Sequence, residues 1–400
     1  MHLIVLLFVY CFVGPPQYIN ARTDNNDYYI GAVVEYASVY DAKNSPQKIM
    51  EINLANYIDY IKEAKQQNAD IIVFPECGLT SIRIPNKPAE AIKYTSLVPN
   101  PKDKVVPCNP KGTATILERI SCEAKENNIY IVVNLPERYG NPNKKDEFLL
   151  YNTNVVFDRN GAVIARYRKY NLFGEPAFNK TASPELITFD TDFGVTFGTF
   201  ICFDILFAEP AMKLLRETKA TDIVYPTAWF SSLPFLTAIQ VQAGWARANQ
   251  VNLLAAGYDN PAGYSGGSGI FSGTNGISDY LIPTDKSSHL LVSRINKIKA
   301  KQYNDIQKTT QCKTTLSSAN YLHTMQENFS NYTTTVLKGD VSNNELCHGT
   351  FCCKFTAKFN KQDTTVTHMM VAYRGLRRFT IEWNTVEICG IVTCANVKTE

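Results

Sequence analysis

Histidine is the scarcest of the residues on which enzymes commonly rely: the chain has five, at positions 2, 289, 323, 348 and 368 of 400. None falls in the body of the alternating α/β pattern described below, and only His289 lies near its end. A cysteine nucleophile usually takes its base from histidine, so a Cys-His protease or transferase is poorly supported. A basic face is also missing. The 40 Lys and Arg against 37 Asp and Glu leave a net charge of +3. The densest basic cluster, Arg374, Arg377 and Arg378, is short enough to be a solvated face, so no nucleic-acid partner is expected. No apolar run is long enough to span a bilayer, and no long apolar tail follows Cys394, so no membrane anchor is expected. Internal repeats and low-complexity stretches are absent.

Other features are plentiful. Leu3 to Val13 is a short apolar run followed by Gly14-Pro15-Pro16, with the small Ala21 downstream. That is the layout of a signal-peptide core and its cleavage region, and it predicts secretion with residues 1–21 removed. Asn179, Asn328 and Asn331 each open an N-glycosylation triplet. Eleven cysteines occur, one of them (Cys11) inside the presumed signal, and six (Cys312, Cys347, Cys352, Cys353, Cys389, Cys394) crowd in after Gln311. Such density is expected of a disulfide framework in an oxidising compartment. A zinc site at Cys347-His348 and Cys352-Cys353 is the weaker reading, because adjacent cysteines rarely both reach one tetrahedral ion.

Along the chain, Tyr28 to Val39 is β-branched and aromatic enough for a strand. Ser45-Pro46 then opens a segment with apolar residues at Met50, Leu54, Tyr57, Ile61 and Ala64, the spacing of a helix with a Ser N-cap. Ile71 to Phe74 is short and continuously apolar, as a strand covered on both faces should be, and it delivers Glu76. The rhythm continues with a helix over 113–127, a strand over 129–134, a hairpin over 150–167, and strands over 185–189 and 194–201. A helix near 208–218, a strand over 222–225, a helix over 235–249 and a strand over 251–256 follow. Strands alternating with helices, interrupted by hairpins, imply an α/β sandwich with mixed sheets. From about Lys297 polar residues and cysteines take over, which places a boundary between 297 and 311 and a β-rich tail beyond it.

Cys202 ends the apolar run Gly198 to Ile201 and precedes a helix-like segment. A strand-to-helix turn leaves nearby backbone N–H groups unpaired, so a nucleophile and an oxyanion site can coincide there. The plain alternative is a small buried hydrophobe, the commonest fate of a free cysteine. Glu76 and Lys169 also follow strand ends, and singly each would be a solvated charge. If the three converge, the carboxylate can take the thiol proton and the ammonium can hold negative charge developing on a carbonyl oxygen.

Phe74-Pro75-Glu76, Arg168-Lys169-Tyr170-Asn171-Leu172-Phe173 and Ile201-Cys202-Phe203-Asp204-Ile205-Leu206-Phe207 resemble the three catalytic segments of the nitrilase superfamily, in its secreted vanin (pantetheinase) and biotinidase branch. The resemblance extends to Pro226-Thr227-Ala228-Trp229, to Gly267-Ser268-Gly269-Ile270-Phe271 and to the tail cysteines. It implies a four-layer αββα sandwich over 24–300 and a smaller, disulfide-rich β-type C-terminal domain over 301–400. It further implies hydrolysis of a linear amide without metal or organic cofactor. Cys202 would be the nucleophile, Glu76 the general base and acid, and Lys169 with the backbone N–H of Phe203 the oxyanion hole. Pantetheine is the first expected substrate and biocytin the second; a silent binding protein on the same scaffold is the alternative of a different class. Trp229, Gln240, Gln242 and Trp245 are expected at the substrate pocket, where glutamines replace the acidic residue and histidine of the branch. Pairing Cys108 with Cys122 and the six tail cysteines among themselves would make four bridges and leave Cys77 and Cys202 free; six cysteines allow 15 connectivities.

Overall fold

The computed structural model describes residues 27–108, 115–144, 147–299, 324–359 and 366–395. The segment expected to be a signal peptide, the greater part of the expected domain boundary, and Cys312 lie outside the described residues. The body runs through β1 (Tyr28–Glu35), β2 (Ile71–Val73), β3 (Tyr130–Gly140), β4 (Phe148–Phe157), β5 (Val163–Arg168), β6 (Ile187–Asp190) and β7 (Thr196–Thr199). It continues with β8 (Asp222–Thr227), β9 (Ser232–Leu233), β10 (Asn252–Gly257), β11 (Ser268–Ser272), β12 (Gly276–Leu281) and β13 (His289–Asn296). Two six-stranded sheets result, in the orders β13-β1-β2-β3-β4-β5 and β12-β11-β10-β8-β7-β6. Both are mixed: β1-β2-β3 and β7-β8-β10 are parallel, and hairpin partners flank them.

Alternation along the strands builds three apolar layers, because successive side chains leave a strand on opposite faces. Val33, Ile71, Val73 and Val132 of the first sheet meet Phe197, Val224, Leu254 and Ile270 of the second. The opposite face of the first sheet, with Ile72, Phe74, Ile131 and Val133, packs on Leu54, Tyr57 and Ile61 of the helix Pro46–Gln66 and Ile120 of the helix Ile116–Asn127. On the second sheet Ile223, Tyr225 and Leu253 pack on Leu214 and on Ala238 and Ala246 of the helix Ala238–Asn249. The architecture is αββα.

Local chemistry sets the helix ends. Ser45 caps the first helix by accepting from the Lys48 N–H, and Thr115 with Glu118 forms a capping box on the second. The helix expected over 208–218 is broken: Glu209 is extended (φ −122°, ψ 128°) and only Lys213–Glu217 is regular α-helix. Pro210 explains this, since proline excludes its predecessor from helical backbone.

The tail comprises β14 (Met325–Gln326), β15 (Thr333–Val336), β16 (Val341–His348), β17 (Phe351–Ala357), β18 (Val366–Phe379) and β19 (Glu382–Ala395). Leu337, Cys353, Phe355, Met370 and Ala372 form its small core. Disulfides join Cys108 to Cys122, Cys347 to Cys352 and Cys353 to Cys389. Cys347 and Cys352, the sulfurs considered for zinc, are therefore bonded to each other. Cys77 and Cys202 are free, and so is Cys394, which was expected in a bridge; its Sγ lies 3.7 Å from the Met369 sulfur. Cys394 differs from the expectation because the described tail cysteines close two bridges without it.

The tail is fastened to the body. β14 pairs in parallel with β9, and Arg377 on β18 grips Glu327 while donating to the Ser232 hydroxyl. The turn between β18 and β19 brings Thr380 against Gly174, where a Cβ would meet the Thr380 hydroxyl at 2.7 Å and φ is +65°. Glycine is what allows this approach.

Candidate active site

Glu76 follows β2, Lys169 follows β5 and Cys202 follows β7, so the three residues arrive at the carboxyl edge of the sheets, where α/β folds bind ligands. The structure brings them together. Lys169 Nζ donates to Glu76 Oε1 at 2.7 Å and to Glu175 Oε2 at 2.7 Å. Asn152 Nδ2 bridges both carboxylates, at 2.8 Å from Glu76 Oε1 and 2.6 Å from Glu175 Oε1. The Ala228 N–H fixes the other Glu76 oxygen at 2.8 Å, and the Phe173 N–H fixes Glu175 Oε2 at 3.0 Å. The Lys169 side chain is 1% exposed and that of Glu76 3%, so one ammonium is shared between two carboxylates away from water. Burial opposes the charge on Lys169, but Glu175 and Glu76 outweigh it and hold its pKa well above the ordinary lysine value. Burial likewise opposes the Glu175 charge, and Lys169 outweighs it, keeping that carboxyl below its usual range.

Cys202 begins the short 3-10 turn Cys202–Leu206 with φ at +45°, a left-handed conformation uncommon outside glycine. Phe203 stands in the same first turn, whose leading N–H groups have no partner within the helix. Two anchors hold the turn. The Tyr225 hydroxyl donates to the Cys202 carbonyl at 2.7 Å. Asp204, fully buried, accepts from the Ile201 N–H at 3.1 Å, from Tyr167 Oη at 2.7 Å and from the Asn171 N–H at 2.9 Å. Asp204 thus ties the cysteine turn to the chain on either side of Lys169. Burial pushes its pKa up to about 6. Burial also pushes the Cys202 thiol well above its ordinary value, Glu76 adds to this, and Lys169 offsets only part of it.

Two cavities meet at Cys202. The smaller, about 310 Å³, is lined by Glu76, Lys169, Glu175 and Cys77 with apolar walls from Ile82, Ile84 and Phe178. The larger, about 660 Å³, runs from Cys202 past Phe203 and Trp229 to the tail, reaching Arg378, Phe379 and Trp383. Of the expected pocket residues, Trp229 lines the larger cavity, with its indole N–H held by the Leu236 carbonyl at 2.8 Å. Gln240, Gln242 and Trp245, expected at the pocket, line neither cavity. Gln240 is exposed and accepts from the Thr237 hydroxyl; Gln242 is buried and donates to the Gly267 carbonyl at 3.0 Å; Trp245 packs edge-on to Phe200. Gln242 is held on the buried seam of their helix by Gly267, Gln240 faces solvent, and Trp245 is occupied by Phe200. Asn179, Asn328 and Asn331 are exposed, and the last two border the larger cavity.

Sequence reasoning missed Glu175 and the amide relay behind it. Asn134 donates to Asn152 and Asn154 at 2.7 and 3.1 Å and accepts from the Cys77 N–H at 2.9 Å, while Asn154 donates to the Thr199 hydroxyl at 2.9 Å. Asparagines inside buried strands were the available signal, since buried amides need partners.

The chain is similar to known proteins over both of its parts. The carbon-nitrogen hydrolase family model matches residues 44–249, and the Vanin C-terminal domain model matches 322–400. Vanin-like protein 2 of Drosophila melanogaster is 38% identical over 401 residues, covering 92% of this chain and 72% of that protein. Pantetheinase of Mus musculus is 32% identical, covering 94% and 77%, and biotinidase of Mus musculus is 37% identical over 287 residues, covering 67% and 54%. Among solved structures, Nit3 of Saccharomyces cerevisiae, a nitrilase-superfamily member, superposes with a TM-score of 0.52 at 23% identity over 67% of this chain and 90% of that one, which shows the fold. The chain belongs to the carbon-nitrogen hydrolase family, in the vanin and biotinidase branch of the nitrilase superfamily, and is a hydrolase of non-peptide C–N bonds.

Proposed function

We propose that this amidohydrolase cleaves pantetheine to pantothenate and cysteamine, with Cys202 as nucleophile. The observation that carries the chemistry is the Lys169 ammonium held between Glu76 and Glu175 in the cavity that also exposes Cys202. As Sγ of Cys202 bonds to the amide carbon, its proton passes to Glu76 and the oxygen's negative charge falls to Lys169 and the Phe203 N–H. Glu76 then delivers the proton to the nitrogen, the C–N bond breaks, and cysteamine leaves a thioester on Cys202. Water gives a proton to Glu76, its oxygen attacks the thioester, and the acid departs as the thiol is restored. The raised thiol pKa fits this order, because a neutral thiol needs a base at the moment of attack.

The leaving amine must meet Glu76, which lines only the smaller cavity. The charged groups there are two carboxylates and one lysine already shared between them, so a leaving group bearing a free carboxylate, as lysine from biocytin would, has no cation to receive it. Cysteamine carries no anion and fits. An oxidising, extracellular setting goes with this reading, supported by the three disulfides, and glycans on Asn179, Asn328 and Asn331 belong to the same proposal.

Purified protein incubated with pantetheine should release the primary amine of cysteamine together with pantothenate, with pantetheine favoured over biocytin, and a Cys202→Ala variant should release neither. Turnover of biocytin at a comparable rate would overturn the substrate assignment. Absence of both activities in folded protein would overturn the catalytic one.

A further inference from the structure

We propose that the C-terminal domain supplies the acyl-group subsite of this hydrolase, with Arg378 and Trp383 selecting acyl chains that are long and carry hydroxyl or carbonyl oxygens. The inference rests on the reaction given above and asks which part of the chain reads the acyl half. Cys202 lines both cavities, whereas Glu76, which must reach the leaving nitrogen, lines only the smaller. An amide carbon seated at Cys202 therefore directs its amine into the smaller cavity and its acyl chain into the larger. The far wall of the larger cavity belongs to the tail.

That wall is built into place. Phe379 is buried with its ring centroid 5.1 Å from that of Phe203, next to the nucleophile. Arg378 and Trp383 stand opposite each other in the β18–β19 ladder and both line the cavity. Trp383 is 60% exposed, a large apolar surface left uncovered. Arg378 Nε donates to the Thr380 carbonyl at 2.7 Å, and its guanidinium makes no ion pair among the described residues. The neighbouring arginines differ: Arg374 is paired with Glu387, and Arg377 with Glu327. An unpaired guanidinium beside an uncovered indole suits a chain with an apolar stretch and oxygen acceptors several bonds beyond the scissile carbonyl.

The test uses the full-length protein and three amides of one amine: N-acetylcysteamine, N-octanoylcysteamine and pantetheine. Wild-type enzyme should prefer both long amides to the acetyl one. Arg378→Ala should lower kcat/KM for pantetheine about tenfold, mainly through KM, and leave the octanoyl-to-acetyl ratio in place. Trp383→Ala should lower both long-to-short ratios, and Arg374→Ala, on the same hairpin but outside the cavity, should move none. Equal losses on all three amides, no loss on any, or a wild type indifferent to acyl length would overturn the proposal. A wild type that prefers the octanoyl amide to pantetheine would overturn the substrate reading instead, and the Trp383 ratios would still decide this one. No hydrolysis of any amide would overturn both.

Discussion

Replacing Lys169 by methionine keeps most of the side-chain volume and removes the ammonium from between two carboxylates, each 2.7 Å away. Breaking a buried ion pair by deleting one partner leaves uncompensated charge and costs about 3–5 kcal/mol. The cost should depend on pH in a definite direction. In the wild type Lys169 holds the Glu175 carboxyl below its ordinary range against the opposing effect of burial. Its stabilisation is therefore fully present above the unfolded value of about 4.3 and is lost as pH falls through the lower folded value. Without the ammonium only the Phe173 N–H and the Asn152 amide oppose burial, the largest of these effects, and the folded pKa rises. The variant then gains stability relative to the wild type as pH falls and Glu175 takes up a proton. Urea unfolding should accordingly show a destabilisation near 3–5 kcal/mol at pH 8 that shrinks by at least 1 kcal/mol at pH 5, since each pKa unit is worth about 1.4 kcal/mol. Turnover should fall about 10²–10³-fold, as when one oxyanion donor is lost. A destabilisation equal at the two pH values, or turnover within tenfold of the wild type, would refute the argument that one ammonium serves both carboxylates and the oxyanion.

Two further outcomes follow from the same geometry. Alkylation of Cys202 by iodoacetamide, followed by peptide mapping, should accelerate about tenfold per pH unit through pH 9, because its raised pKa keeps the thiolate a minor species until higher pH; a plateau below pH 8 would show a preformed thiolate and remove Glu76 as its base. Asp204→Asn turns an amide NH₂ or a single oxygen toward partners that now face two acceptor oxygens, so thermal unfolding should show a loss of about 1–3 kcal/mol together with reduced turnover. Since the folded Asp204 pKa of about 6 lies above the unfolded 3.9, wild-type stability from this group is present below pH 4 and declines as pH rises through 6. That slope should be missing from the variant, and its persistence would assign it elsewhere.

The layers and the convergence of Glu76, Lys169 and Cys202 were legible because topology forces them. A continuously apolar strand such as Ile71 to Phe74 must be covered on both faces, and whatever follows it must emerge at the carboxyl edge. Glu76, Lys169 and Cys202 share that property without sharing any local spacing. Glu175 does not follow a strand: it sits in a loop, six residues beyond Lys169, and its role depends on Asn152 and the Phe173 N–H, which no periodic pattern marks. The strand His289–Asn296 also passed unrecognised, because it lies at a sheet edge with Leu290, Leu291, Val292 and Ser293 all half-buried and with no clean alternation, and carries Ser293 and Arg294.

Gln240, Gln242 and Trp245 lie outside both cavities for a different reason. Gln242 shares an i, i+4 seam with Ala238 and Ala246, and its amide donates to the Gly267 carbonyl, so it packs against the sheet and its loop and lines neither cavity. The cavity's outer wall comes from β18 and β19, far beyond Cys202 in sequence, through contacts such as Phe379 on Phe203 and Thr380 on Gly174. No local pattern in either segment announces that meeting. The division has a chemical consequence. Glu76, Lys169 and Cys202 are fixed to the sandwich by their own hydrogen bonds, whereas the outer wall of the larger cavity comes from the tail. Residues such as Arg378 and Trp383 can therefore change without displacing Cys202, Glu76 or Lys169, so selectivity can vary in this architecture while the chemistry stays in place.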